Sequence, residues 1–418
     1  MRLDVSEMKV LIAGGGIGGL IAALFLHRKG IDCEIHERVP EVQEVGVGLT
    51  ILPHAVILLS ELGIFDALDK ESIRTEYMYF RTRWGQTVWE EPRGLAAGYP
   101  IPQLSIHRGR LHAALFDTVR ERLSPGAVHL GSNVTSFVET ATKVTITTAG
   151  ASGAAEHEGD ILIGADGIHS AVRRQLYPHE GVPRWSGRML WRGSTDWPVF
   201  LDGRTIINSG GADKKFIVYP IAAGEEPETR LTNWAAVVRV AIPGSALRQR
   251  EDWSREALRE DLVPILDDFR VPEVNIKELV AATPTFWEFP MCDREPLAHW
   301  SFGRTTLLGD AAHPMYPFGA NGAAQAIIDA KCISERLASA ADPVEALKQY
   351  EVERLEPANK VVSMNRSAGP EGVIDTVEAR CSGPVEDLNE VMPFAEREAI
   401  VRGYAKAAGF ARDQVRRD

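Results

Sequence analysis

The feature that most constrains this chain is a glycine run, Gly14-Gly15-Gly16-Ile17-Gly18-Gly19, lying between two apolar stretches, Lys9 to Ala13 and Leu20 to Arg28. Glycines so closely spaced end a strand, permit a tight turn and let backbone approach a pyrophosphate at the mouth of the following helix. Gly30 stops that helix, and Cys33 to Glu37 then reads as a second strand, so the chain opens as a β-α-β unit. Glu37 ends the second strand, where an acid can hold a ribose 2′-hydroxyl. The pattern predicts a dinucleotide held by Gly14, Gly16, Ile17, Gly18, Gly19 and Glu37, with Arg38 alongside; by itself it does not separate FAD from NAD. The same glycines interrupt the apolar run Val10 to Leu26, and Asp4 and Glu7 precede it. That run therefore reads as folded structure rather than a signal peptide or membrane anchor.

A chain of 418 residues, 44% hydrophobic, has material for two or three domains. Its 46 basic and 58 acidic residues leave a net charge of −12, with the basic residues scattered. This argues against nucleic acid or an anionic membrane as a partner. The four cysteines, Cys33, Cys292, Cys332 and Cys381, are far apart and form no Cys-x-x-Cys pair. No metal site or disulfide framework is expected from them, and a reducing cytoplasm fits.

Buried-strand patterns recur at Asp160 to Ala165 and at Leu307-Leu308, and helical patterns at Ala55 to Leu62, Arg108 to Leu123 and Gly322 to Ala340. Between Trp185 and Ala282 strand-like, aromatic-rich runs predominate, interrupted by a helical piece from Ser254 to Phe269. The expected architecture is α/β. A Rossmann-like nucleotide domain (1–75, 101–180 and 283–342) is split by a β-rich domain (76–100 and 181–282), and a helical segment (343–418) follows.

Two further strings carry chemistry. In Asp160-Ile-Leu-Ile-Gly-Ala-Asp166-Gly167-Ile-His-Ser170-Ala-Val-Arg173 a buried strand runs into an Asp-Gly turn, with Ser170 placed to cap a helix. In Gly309-Asp310-Ala311-Ala312-His313-Pro314, followed by Pro317, Gly319, Asn321 and Gly322, an acid after a strand could accept bonds from a polyol. The glycine-rich turn there opens a helix whose N–H groups suit an anionic ring edge. His313, bracketed by Ala312 and Pro314, reads as structural. No acid/base triad stands out.

Together these strings resemble the class A flavoprotein monooxygenases, the group of the 4-hydroxybenzoate and salicylate hydroxylases, from Val10 to about Arg366. The resemblance implies FAD as cofactor. It assigns Asp310 to the ribityl chain, Asp166 to FAD and the passing nicotinamide, and Glu37 to the adenosine ribose. It also places Gly46-Val47-Gly48 near the ring, Arg108 as a further FAD contact and the Val134 backbone at the adenine. Pro317, Gly319, Asn321 and Gly322 would form the flavin-ring environment. Several stretches, among them Thr87 to Gly94, Trp191-Arg192-Gly193 and Phe289 to Arg294, are similar to the phenazine-modifying branch typified by 5-methylphenazine-1-carboxylate 1-monooxygenases.

The activity implied is hydroxylation of an aromatic or N-heteroaromatic compound with NADH or NADPH and O2, oxygen being activated at the flavin. A pocket between flavin and β-rich domain is expected from Trp191, Arg192, Tyr219, Trp234, Trp287 and Met291. Arg192 could pair with a substrate carboxylate, and each aromatic could equally be core. Epoxidation, Baeyer–Villiger oxidation, antibiotic inactivation, an NAD-only dehydrogenase and a non-catalytic flavin-binding protein stay open, as does monomer or homodimer.

Overall fold

The computed structural model describes residues 7–41, 47–247 and 255–415. Gly46 and Ser254 lie outside these residues.

Val10, Leu11, Ile12 and Ala13 are fully buried, as suits a parallel strand covered on both faces. Their strand, Lys9–Ala13, pairs with Asp32–Glu37 on one side and Ile161–Gly164 on the other, both parallel. Thr305–Leu307 and Val128–Leu130 extend the sheet in parallel, and Ser301–Phe302 closes one edge antiparallel, giving six strands. The helix Ile17–Arg28 begins at Ile17, earlier than its apolar run suggested, because Gly16 is its N-cap and Gly18 and Gly19 lie in its first turn. Helix propensity disfavours glycine there, but packing demands it. A Cβ on Gly19 would strike the Gly14 carbonyl oxygen, and one on Gly18 would lie 2.8 Å from Leu308. The helix Gly322–Ser339 packs beside it, with Leu20, Leu24, Ile327 and Ile333 in one buried core.

The second sheet has seven strands, ordered Phe286–Asp293, Arg184–Pro198, Thr229–Arg239, Lys214–Ala223, Thr205–Ser209, Tyr77–Arg81 and Thr87–Pro92. Its neighbours are antiparallel except Tyr77–Arg81 beside Thr205–Ser209. The sheet reaches past the expected boundary at 282, since Phe286–Asp293 belongs to it. Phe286 packs its ring against Trp234, centroids 5.3 Å apart, a long-range contact that local pattern does not announce.

Strand alternation gives this sheet two different faces. Trp191, Phe216, Val218, Trp234 and Phe286 form a core with Leu262, Leu266, Leu279 and Val280 of the short helices Arg259–Leu266 and Ile276–Ala282. On the opposite face Leu190, Val237 and Met291 pack on Tyr316 and Phe318, residues of the loop before Gly322. The small sheet Gly48–Ile51, Gln103–His107 and Ser72–Thr75 joins the two large ones. Gly48 N donates to Asn233 Oδ1 at 2.8 Å.

The segment after 343 is integral to the core. Tyr350, on the helix Pro343–Arg366, donates to the Leu307 carbonyl at 3.0 Å. Ile374 and Val377, on Gly372–Arg380, pack with Phe80 and Val88 of the second sheet. The expected α/β class, with a β-rich domain and C-terminal helices, is what the chain adopts. Among the described residues no helix is long and apolar enough to cross a membrane, and all four cysteines are free thiols.

Candidate active site

Gly14 sits at φ +106°, and a Cβ there would lie 2.5 Å from the Ala165 carbonyl oxygen, so only glycine fits. Its N–H donates to the His36 carbonyl at 2.8 Å. Nothing lies within 4 Å of where a Gly16 Cβ would be, which leaves the helix mouth open to an anion. Glu37 is turned onto the loop itself. Its Oε2 accepts from Gly15 N at 2.7 Å and its Oε1 from Val39 N at 3.0 Å. Arg38 is exposed beside it, Ile17 is half-buried, and Val134, its side chain buried in the main core, stands in the strand Asn133–Glu139 opposite Thr148. Sequence reasoning missed His112, whose Nε2 bonds the Gly15 carbonyl at 2.7 Å. The available signal was its place one turn after Arg108 on the same helix.

Asp310 lies in the turn Gly309–Ala311, where Gly309 takes φ +59°. Arg108 opens the helix Arg108–Arg122, its N–H donating to the Val47 carbonyl at 2.9 Å. Both side chains are enclosed by protein yet accessible, as groups lining a deep cleft are. Burial pushes the Asp310 carboxyl up, opposed by His313 and Arg108; burial pulls Arg108 down, opposed by Asp310. An acid for hydroxyl groups and a cation for an anion thus face one space.

Asp166, expected to serve FAD and the passing nicotinamide, also bonds the start of its own helix. Its Oδ2 accepts from Ala171 N at 2.7 Å and Val172 N at 3.4 Å at the start of the helix Ala171–Leu176. Its buried Oδ1 has no hydrogen-bond partner, and burial raises its pKa. Ser170 caps the same helix, accepting from Arg173 N at 2.9 Å. Arg173 is 1% exposed. It donates to the Ala311 and Ala312 carbonyls at 3.0 and 2.9 Å and to the Glu295 carbonyl at 3.0 Å, and pairs with Glu180. One guanidinium therefore ties the Asp166 string to the Asp310 string.

Beneath the loop 316–322 lies a buried polar network. His313 Nε2 meets Asp329 Oδ2 at 2.5 Å, and Asp329 Oδ1 accepts from Arg354 Nε at 2.8 Å. Arg354 Nη2 donates to Gln325 Oε1 at 2.6 Å, and Gln325 Nε2 reaches Asn321 Oδ1 at 3.2 Å. His313 is thus buried and paired with Asp329. His54, also missed from sequence, stands beside Asn321 and stacks on Phe410; burial lowers it to about 3, so its ring is neutral.

Pro317 is exposed, Gly322 is half-buried at the start of Gly322–Ser339, and Ala320 holds φ +52°. A non-glycine residue so placed is held by its surroundings. A Cβ on Gly319 (φ +67°) would collide with the Tyr404 ring. Tyr404, on the helix Phe394–Ala407, donates to Asn365 Oδ1 at 2.9 Å and lies 3.2 Å from the Phe318 carbonyl. Tyr404→Phe should lower stability by about 1–3 kcal/mol, read as a lower urea midpoint, because it strips these buried acceptors of their donor. An unchanged midpoint would remove Tyr404 as the buttress.

The six candidate pocket residues divide. Trp191 and Trp234 lie in the core on the far face of the large sheet, with Trp234 Nε1 donating to Thr283 Oγ1 at 2.8 Å. They are corrected to structural residues: alternation turns them away from the cleft. Arg192 pairs across the strands with Trp287 and Ala235, on the face toward the nucleotide sheet. Met291 is on that side too, against Tyr316 and Phe318. Tyr219 reaches Thr50 and acts on Arg192, and its Oη lies 2.7 Å from where a Gly48 Cβ would be. Arg192 is 8% exposed. Burial first, then the like charge of Arg108, lowers it to about 9. Arg108, Arg192, Tyr219 and Gly48 therefore converge where the two sheets meet.

Residues 7–365 match the family model described as "FAD binding domain". The chain is 38% identical to a phenazine 1,6-dicarboxylic acid hydroxylase of Lysobacter antibioticus, over 86% of this chain and 90% of that one. It is 30% identical to a 3-hydroxybenzoate 6-hydroxylase of Polaromonas naphthalenivorans, over 88% and 89%. Among solved structures it is similar to Klebsiella pneumoniae HpxO complexed with FAD and uric acid, with a TM-score of 0.76 and 26% identity over 97% of each chain.

Proposed function

The chain belongs to the FAD-binding-domain family and is an FAD-dependent aromatic monooxygenase, and from that premise we propose that it hydroxylates a carboxylated, fused N-heteroaromatic of the phenazine class. The observation that carries this reading is Arg192, buried on the cleft-facing side of the large sheet, in a field made more positive by Arg108. An anionic ring substituent placed there would be attracted by both guanidinium groups. The likeness to a phenazine dicarboxylate hydroxylase supports the fused ring, and Trp287, half-buried beside Arg192, offers apolar surface for it.

The residues present fit FAD. The open position at Gly16 suits the pyrophosphate, Asp310 the ribityl hydroxyls and Arg108 a phosphate, while the start of Gly322–Ser339 suits an electron-rich ring edge. Glu37 would exchange a loop amide for the ribose. Bound FAD supplies hydride acceptance from NAD(P)H and activation of O2. The chain's own work is placement and exclusion of water. Tyr404 and the His313–Asp329–Arg354 network hold the ring loop, and the large sheet covers the cleft with Leu190 and Met291. Asp310→Ala should weaken FAD binding on the order of 30-fold by removing charge-assisted bonds; a fluorescence titration giving the wild-type Kd would contradict that role.

The test of the substrate class is NADH and NADPH oxidation by the FAD-loaded enzyme in air, with phenazine-1-carboxylate, phenazine-1,6-dicarboxylate, salicylate and 3-hydroxybenzoate. Stimulation by a phenazine carboxylate, with a product heavier by one oxygen, is expected. Turnover confined to the single-ring acids would sink the fused-ring assignment.

A further inference from the structure

At the outer edge of the nucleotide sheet four side chains gather that the flavin chemistry does not use. Glu34 and His36 alternate onto one face of Asp32–Glu37. His129 on Val128–Leu130 stands directly opposite His36 in the parallel register. His157 comes from a different sheet, on the strand Gly153–Gly159. One nitrogen from each histidine and one Glu34 oxygen all lie within 4.8 Å of one another. Glu34 Oε2 is 3.8 Å from His36 Nε2, 3.8 Å from His129 Nε2 and 4.0 Å from His157 Nδ1.

Three of these atoms, Glu34 Oε2, His36 Nε2 and His129 Nε2, are buried without a hydrogen-bond partner, and His36 as a residue is 1% exposed. Orphaned polar atoms gathered this closely call for a shared ligand; the His36 and His129 rings stack with centroids 4.6 Å apart, and one of them turns out of that stack when both share an ion. The surroundings already orient the donors. His36 Nδ1 bonds Ser132 Oγ at 3.0 Å, which leaves Nε2 as the nitrogen aimed at its neighbours. Lys9 Nζ holds Glu34 Oε1 at 2.8 Å, turning Oε2 inward. The side chains of His129 and His157 are 33% and 22% exposed, so an ion has a path in.

We propose that Glu34, His36, His129 and His157 bind a divalent transition-metal ion of the zinc class, in a four-ligand site separate from the active site. Three imidazoles and a carboxylate are a borderline donor set that suits zinc over calcium or magnesium. With metal–ligand bonds of ~2.05 Å a tetrahedral site needs donors ~3.3 Å apart, so the Glu34 oxygen and the three nitrogens, 3.8 to 4.0 Å from it, close by roughly 0.5–0.7 Å as the ion binds. Four protein donors leave no open position, which marks the site as structural. It would clamp strands of two sheets. It would also bear on the cofactor loop, because the His36 carbonyl accepts from Gly14 N and Glu37 follows next in the chain.

The test uses FAD-loaded enzyme freed of metal by a chelator, titrated with Zn2+ against a chromophoric competitor and separately with Co2+. One Zn2+ per chain is expected. His129→Asn and His157→Asn, at partly exposed positions, should each weaken it on the order of 100-fold, and Ser132→Ala about 10-fold through loss of the oriented tautomer. FAD content and metal-free Tm should match wild type, which separates loss of ligation from loss of fold. The Co2+ form should show the intense visible bands of a tetrahedral ion. Absence of stoichiometric uptake, uptake indifferent to both histidine substitutions, or the weak bands of six-coordinate cobalt would each overturn the site.

Discussion

Replacing Arg192 by methionine should lower kcat/KM for phenazine-1-carboxylate on the order of 100-fold, the worth of a desolvated charge-assisted pair. Methionine keeps the apolar stem while deleting the guanidinium, so the strand position opposite Trp287 and Ala235 stays filled by an unbranched side chain. The loss should fall mainly on KM, and an uncarboxylated phenazine should be turned over nearly as before. Removing a buried positive charge next to Arg108 should leave FAD content unchanged or raised. The measurement is steady-state kinetics on the two phenazines side by side. An equal loss on both would show that Arg192 holds the architecture of the cleft and does not read the carboxylate.

Arg173→Ala should destabilise the protein by about 3–5 kcal/mol, the effect of breaking a buried charged network from one side. Arg173 satisfies three carbonyls, two of them on the turn that carries Asp310. Arg294 still donates to Glu180 Oε2 at 3.0 Å, so most of the loss comes from the orphaned carbonyls and the slackened turn. Urea unfolding followed by tryptophan fluorescence gives the stability, and gel filtration with absorbance at the flavin wavelengths gives cofactor retention. A loss below about 1 kcal/mol would mean that water takes over these acceptors and that the two strings are joined by something else.

The parts of the site that were legible from sequence are those built by local rules. Gly14 and Gly19 announce a turn because backbone sterics act over a few residues, and Ser170 announces a helix start for the same reason. Arg192 and Tyr219 were visible only as polar groups in strands, and half of an alternating strand faces away, which is why Trp191 and Trp234 proved to be core. Glu37 and Asp166 were legible as acids at strand ends, but not that each would also bond its own loop or helix amides. His54 and Tyr404 carried no local signature, since each acts across more than eighty residues of chain or through an enclosed contact, and His112 had only its place one turn after Arg108. The cluster around Glu34 was hidden for a related reason: its members lie on three strands, and cysteine spacing, the usual signal for zinc, plays no part in it.

The position of Tyr404 beneath Gly319 has a consequence for how the enzyme is made. A nascent chain has its glycine loop within the first forty residues, yet the turn at Phe318 to Asn321 gains its full support only when Tyr404 has been synthesised. The adenine half of the site can therefore form earlier in translation than the ring half. Complete flavin binding then waits for the helix Phe394–Ala407, and growth medium short of riboflavin should leave a pool of folded apoprotein rather than half-folded chains.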